Sequence, residues 1–121
     1  MNRPALQVTT EDRGAVTLVH LTGRLVLEDG DEVFRDAINA LAARDRLNLV
    51  IDLANVSSID SAGIGVLIGR YLSLRRRGGD MKLANLTARS HRVMTITQLL
   101  DVFDCFDSTE EAVESFAIAN R

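Results

Sequence analysis

The chain is organised around Ile59-Asp60-Ser61-Ala62-Gly63-Ile64-Gly65-Val66-Leu67-Ile68-Gly69-Arg70-Tyr71. Just upstream lies Leu49-Val50-Ile51-Asp52-Leu53, short, β-branched and apolar on both faces. Such a run reads as a buried strand. Asp60 and Ser61 are both good N-cap residues for a helix that begins at this point. From Ile64 onward the apolar residues fall at Ile64, Leu67, Ile68, Tyr71, Leu72 and Leu74, helical spacing with one apolar stripe. The segment is therefore strand, loop and then a helix whose first turn presents a serine hydroxyl. A helix start carries free N–H groups and the positive end of the macrodipole, so it tolerates an added anion. Two glycines, Gly65 and Gly69, interrupt this helix, each costing about 1 kcal/mol relative to Ala. With Ala62 and Ser73 they form a stripe beside the apolar one. Close packing of a neighbouring strand or helix is the favoured explanation; a flat docking surface beside Ser61 is the other.

Outward from this centre the chain reads as one domain of alternating elements. Leu6 to Thr10 and Ala15 to Thr22 are expected strands of a hairpin, joined by a turn at Glu11-Asp12-Arg13-Gly14, with Gly23 ending the second strand. Residues 1–5 read as a loose terminus. An acidic loop, Leu27 to Asp31, leads to a helix over Asp31–Arg44, carrying Val33, Phe34, Ala37, Ile38 and Leu41 at helical period. The central strand spans Leu47 to Ala54, and the key helix Ser61 to Arg77. Arg75-Arg76-Arg77-Gly78-Gly79 places basic residues at the negative helix end and glycine at the C-cap, so it reads as a terminus, not a phosphate-binding patch. A strand over Met81–Leu86, a helix over Arg89–Leu100, an edge strand within Val102–Phe106 and a final helix opened by Ser108 or Thr109 complete the order. That last helix carries Ala112, Val113, Phe116 and Ile118. Strands alternating with helices after a hairpin predict a mostly parallel sheet covered by helices.

The chain has 121 residues, 46% hydrophobic and 26% charged, with net charge −3, as in an ordinary globular domain. That balance gives no basic footprint for nucleic acid, and without Trp no base-stacking platform is expected. The single cysteine, Cys105, excludes an internal disulfide and fits a reducing compartment; among Val102, Phe103 and Phe106 it reads as a small buried hydrophobe. No signal-peptide core or membrane-length apolar run is present, so no membrane insertion is expected and the cytoplasm is the expected location.

A self-contained enzyme needs a constellation of groups. His20, inside an expected strand, and His91, at an expected helix start, have no neighbour at metal-ligand spacing and read as structural or solvated. Gly63-Ile64-Gly65 is too short for a dinucleotide fingerprint. A carboxylate adjacent in sequence to a serine is a poor activator, so Asp60-Ser61 on its own reads as a cap. No catalytic residue, metal or cofactor is expected.

Asp60-Ser61-Ala62-Gly63-Ile64-Gly65-Val66-Leu67, with Gly69-Arg70-Tyr71, Gly78-Gly79, the strand at 49–53 and Met81-Lys82-Leu83-Ala84-Asn85-Leu86, resembles the anti-sigma factor antagonist (STAS) family. The likeness runs from about Leu6 to Phe116. It implies the STAS fold, α/β with a small mixed sheet against helices. It also implies a protein that binds an anti-sigma factor when unphosphorylated and so frees a sigma factor for transcription. In the family the serine after the aspartate is phosphorylated by that anti-sigma factor, itself a serine kinase, and a serine phosphatase resets it. The position is Ser61 here. With the glycine stripe read as a docking surface, Asp60, Ser61, Ala62, Gly63, Gly65, Gly69 and Arg24 are the expected partner-binding residues, on a monomer or weak dimer. A STAS subunit of a transport or signalling assembly, with Ser61 merely a cap, is the alternative. Two departures stand out. Ala62 replaces a frequent second hydroxyl. Gly23-Arg24-Leu25-Val26 replaces the family's Gly-Glu-(Leu/Ile)-Asp, near the serine and the partner surface, with Glu28 and Asp29 available to restore negative charge.

Overall fold

The computed structural model describes residues 6–99 and 101–119. The loose terminus expected at 1–5, Leu100 at the end of the third expected helix, and the side chain of Ile118 lie outside the described residues. The order is β1 (Leu6–Arg13), β2 (Val16–Leu25), α1 (Gly30–Ala43), β3 (Asn48–Ile59), α2 (Ser61–Arg76), β4 (Asp80–Ala84), α3 (Ala88–Ile96), β5 (Cys105–Phe106) and α4 (Thr109–Ala119). One five-stranded sheet runs β1-β2-β3-β4-β5. The β1/β2 hairpin is antiparallel and the other pairings are parallel.

Strand alternation sends side chains to two cores. Val19, Leu21, Leu49, Ile51, Leu53, Met81 and Leu83 face α1, α2 and α3, where Phe34, Ile38, Ile64, Leu67 and Met94 meet them. Val16, Leu18, Val50 and Ala84 face the other way, onto Ala112 and Phe116 of α4. Each fully buried aliphatic or aromatic side chain contributes roughly 1.5–3 kcal/mol. The central run is apolar on both faces because helices cover both faces of its first half. Lys82 is buried on the α4 side, its Nζ donating to Ser115 Oγ at 2.7 Å and lying 4.2 Å from the centre of the Phe116 ring.

Several boundaries differ from the sequence expectation. β1 continues through Glu11, Asp12 and Arg13, which pair with Leu18, Thr17 and Val16, leaving only Gly14 and Ala15 in the turn. Gly14 takes φ +65°, a turn conformation open to glycine. The charged triplet resembles a loop in composition, yet an edge strand keeps its charges in solvent. Gly23 does not end β2, and β3 does not stop at Ala54: Arg24 pairs with Ser58 and Leu25 with Ile59, after register shifts on either side of Gly23. The Asn55-Val56-Ser57-Ser58 stretch, polar but for the buried Val56, is therefore strand, held by backbone pairing and that one core contact. β4 starts at Asp80 and stops at Ala84, α3 ends at Ile96, and β5 is reduced to two residues. α2 closes as expected, with the Gly79 N–H bonded to Leu74 O at 2.8 Å and the Gly78 N–H to Arg75 O at 3.1 Å. That is the paired glycine-terminated helix end. Arg77 reaches across to Ala42 O and Asp45 at the end of α1.

Candidate functional site

β3 delivers Asp60 to the start of α2, where its backbone is extended (φ −116°, ψ −174°) and its Oδ1 accepts the Gly63 N–H at 2.9 Å. The second carboxylate oxygen accepts the Leu27 N–H at 3.1 Å, across from the β2–α1 connection. The Asp60 N–H in turn donates to Leu25 O at 3.4 Å. One residue thus caps a helix and clamps the neighbouring loop beside it. Desolvation pushes its carboxyl up, but the Gly63, Leu27 and Ala62 N–H groups together outweigh this and hold it below the usual carboxylate range. Asp60 is a fixed anion. Asp60→Ala is expected to cost about 1–2 kcal/mol and to loosen the loop at Leu27, whereas Asp60→Asn keeps most of the cap. Urea unfolding of the three proteins, with amide exchange at Leu27, measures both effects.

Ser61 is the first residue of α2 and is exposed. Ala62 is half-buried behind it, and Gly63 is buried. A Cβ on Gly63 would collide with the Leu25 carbonyl, so this glycine is what lets β2 and α2 meet. Gly65 and Gly69 behave oppositely. A Cβ at either would meet none of the described residues within 4 Å, so the expected close packing is not found among them and their smoothness faces outward. Arg24 stands exposed on β2, opposite Ser58.

Two residues join this surface that sequence reasoning missed. Leu27 is 61% exposed while its N–H is held by Asp60. Leu72, which helical spacing assigned to the apolar stripe, is 44% exposed. Ser61, Gly65, Gly69 and Leu72 recur on one side of α2 over about 16 Å of helix. An isolated Leu within an acidic loop was the available signal for Leu27; for Leu72 the stripe itself concealed it. The result is a smooth, partly apolar shelf with a hydroxyl at one end and carboxylates around that end.

The remaining chemistry-bearing residues lie elsewhere. A cleft of about 550 Å³ between the β4–α3 connection and β5 is lined by Asn85, Thr87, His91, Cys105 and Asp107, among others. Cys105 is exposed, contrary to expectation, because β5 is a two-residue edge strand. Partial desolvation of the sulfur, then the neighbouring Asp104 charge, push its thiol up, away from the nucleophilic thiolate. Thr87 caps α3 through the Ser90 N–H. His20 Nδ1 lies 2.7 Å from Asp52 Oδ2 on the adjacent strand. Among the described residues no group of three or more His, Cys, Asp or Glu could hold a metal ion, and no helix is long and apolar enough to cross a membrane.

Asp52 also predicts a pH dependence. Burial raises its carboxyl, but bonds from the Asn85 amide, the Ala54 N–H and His20 overcome this and lower it below the ordinary value. A lowered folded pKa stabilises above the unfolded value and is lost as pH falls through the folded one. Asp52→Asn should therefore be less stable than the parent by about 1–3 kcal/mol near neutrality. That gap should narrow as pH falls below about 4. Denaturant titrations across that range give the result.

An α/β domain with a mixed sheet, an aspartate-capped central helix and an exposed serine at its first position defines the class. The STAS domain model matches residues 7–112, and the chain belongs to that family. It is 27% identical over 115 residues to the anti-sigma F factor antagonist of Paenibacillus polymyxa, covering 95% of this chain and 98% of that one. It is 37% identical over 82 residues to the anti-sigma-B factor antagonist of Bacillus subtilis (strain 168), covering 68% of this chain and 74% of that one. The crystal structure of an anti-sigma factor antagonist from Mycobacterium paratuberculosis superposes with a TM-score of 0.81 at 24% identity, covering 91% of this chain and 92% of that one. That superposition establishes the shared fold.

Proposed function

We propose that the chain is an anti-sigma factor antagonist that acts by binding, with Ser61 as the phosphoacceptor of a partner serine kinase. Unmodified, it docks the anti-sigma factor on the shelf formed by Asp60, Ser61, Ala62, Gly63, Gly65 and Gly69, with Leu27 and Leu72 supplying apolar contact and Arg24 at the border. Phosphorylation ends the complex and a serine phosphatase restores it. The observation that carries this reading is the pairing of an exposed hydroxyl at the head of α2 with an outward, side-chain-free helix face. The relatives named as antagonists of anti-sigma factors support the partner class. The chain supplies the hydroxyl and the partner's active site supplies the transfer, so the domain alone is expected to have no turnover and to act in the cytoplasm.

The test is capture of partners from the native organism on wild type and on Ser61→Asp, followed by mass spectrometry. An ATP-binding anti-sigma factor retained by the wild type and depleted on Ser61→Asp is the expected result. A transport protein in its place, with no anti-sigma factor, overturns the reading.

A further inference from the structure

A phosphate on Ser61 would be a dianion placed directly after a carboxylate. A phosphoserine carries roughly −1.5 to −2 charges near neutral pH. Asp60 beside it is held ionised, and the Gly63, Ala62 and Leu27 N–H groups are already directed at that carboxylate. The donors at the head of α2 are thus largely committed before the phosphate arrives. Glu28 is exposed in the adjoining loop, and Asp29 follows it. A compensating cation must come from another element.

Three arginines on neighbouring elements are relevant. Arg89 of α3 donates to Ser57 O at 3.0 Å and is engaged. Arg35 is exposed on α1, beyond the first turn. Arg24 is exposed on β2, and among the described residues it makes no hydrogen bond or ion pair through its side chain. Its register places it opposite Ser58, and Leu25 opposite Ile59, so Ser61 lies three residues beyond the residue facing Arg24. The Asp60–Leu25 and Asp60–Leu27 contacts fix that strand end against the head of α2. A guanidinium presents a planar fork that matches phosphate oxygens two at a time.

We propose that Arg24 is the internal counter-ion of phosphoserine 61, so that phosphorylation captures Arg24 from the docking surface as well as adding charge to it. The proposal rests on Ser61 being the modified residue. It gives the Arg24 departure from the family's acidic residue a role in the released state: the modified chain holds its own phosphate, with no refolding required.

The experiment installs phosphoserine at position 61 during translation, so it does not depend on any kinase. Phosphorus NMR then follows the second ionisation of that phosphate in four proteins: the parent, Arg24→Gln, Arg35→Gln and Arg89→Gln. A neighbouring cation favours the dianion. The parent is expected to titrate about half a unit to one unit below Arg24→Gln, with Arg35→Gln and Arg89→Gln matching the parent. The Arg24 Nε–H signal should also move on comparing phosphorylated with unmodified protein. Arg24→Gln titrating with the parent overturns the proposal, as does a rise seen only in Arg35→Gln or Arg89→Gln. Either result leaves the assignment of Ser61 standing; a kinase that ignores Ser61 removes that assignment without altering this titration.

Discussion

Gly63→Ala is expected to destabilise the domain by about 2–4 kcal/mol, lowering the unfolding midpoint by roughly 10–20 °C, while Gly65→Ala, two residues on, stabilises it. The added methyl at 63 would strike the Leu25 carbonyl and press on Ile59, both part of the paired β2/β3 end. A backbone carbonyl cannot swing aside as a side chain would. Relief means moving β2 from α2, which strains the Asp60 bonds to Leu25 and Leu27. At 65 and 69 the methyl meets open space. Only the helix propensity gain remains, about 1 kcal/mol each. The two outward substitutions are nonetheless expected to weaken anti-sigma factor binding, because a methyl on a flat contact face holds the partner off. Thermal unfolding and a partner titration on each variant separate the effects. Destabilisation by Gly65→Ala contradicts the open face; stabilisation with unchanged affinity contradicts its use as the docking surface.

Phosphorylation of Ser61 is expected to lower affinity for the anti-sigma factor by roughly 5–150-fold, the range of a 1–3 kcal/mol coupling. The domain itself has little reason to rearrange, since Ser61 is exposed at a helix start and the macrodipole favours an anion there. The partner surface must bring its own groups against a phosphate and the fixed Asp60 anion together. Ser61→Ala should stay bound and escape control, since it adds no charge and loses only a small hydroxyl. Ser61→Asp should fall between, with one charge and less bulk. Binding isotherms for the four forms, with a heteronuclear spectrum of each free protein, give the comparison. Changes spread across the sheet would show that the phosphate acts by rearrangement instead.

Much of the fold was legible in the sequence because the decisive features are local. An apolar run covered on both faces, an aspartate one residue before a helix and glycines after an arginine run each announce their element through short-range chemistry. What escaped depends on tertiary context. The extension of β3 through Asn55–Ser58 is set by backbone pairing with β2, and Val56, its one core residue, is too sparse an apolar signal to mark a strand. The charged end of β1 has a loop's composition because it is an edge. The three glycines of α2 look alike in sequence; only the position of the Leu25 carbonyl separates the one that must be glycine from the two whose open side faces solvent. Cys105 has apolar neighbours in the chain but lies at a sheet edge in space. The role of Asp60 as a cap was readable, and its hold on Leu27 was not, because that bond spans two distant loops.

Ser61 is the proposed site of the regulatory phosphate. The most direct measurement is phosphosite mapping by mass spectrometry of the chain recovered from its own cells, as wild type and as Ser61→Ala. One modified residue, Ser61, and no modification of the variant are the expected result. Phosphate on Ser57, Ser58 or Thr87, or a Ser61→Ala chain phosphorylated to the wild-type extent, would contradict it.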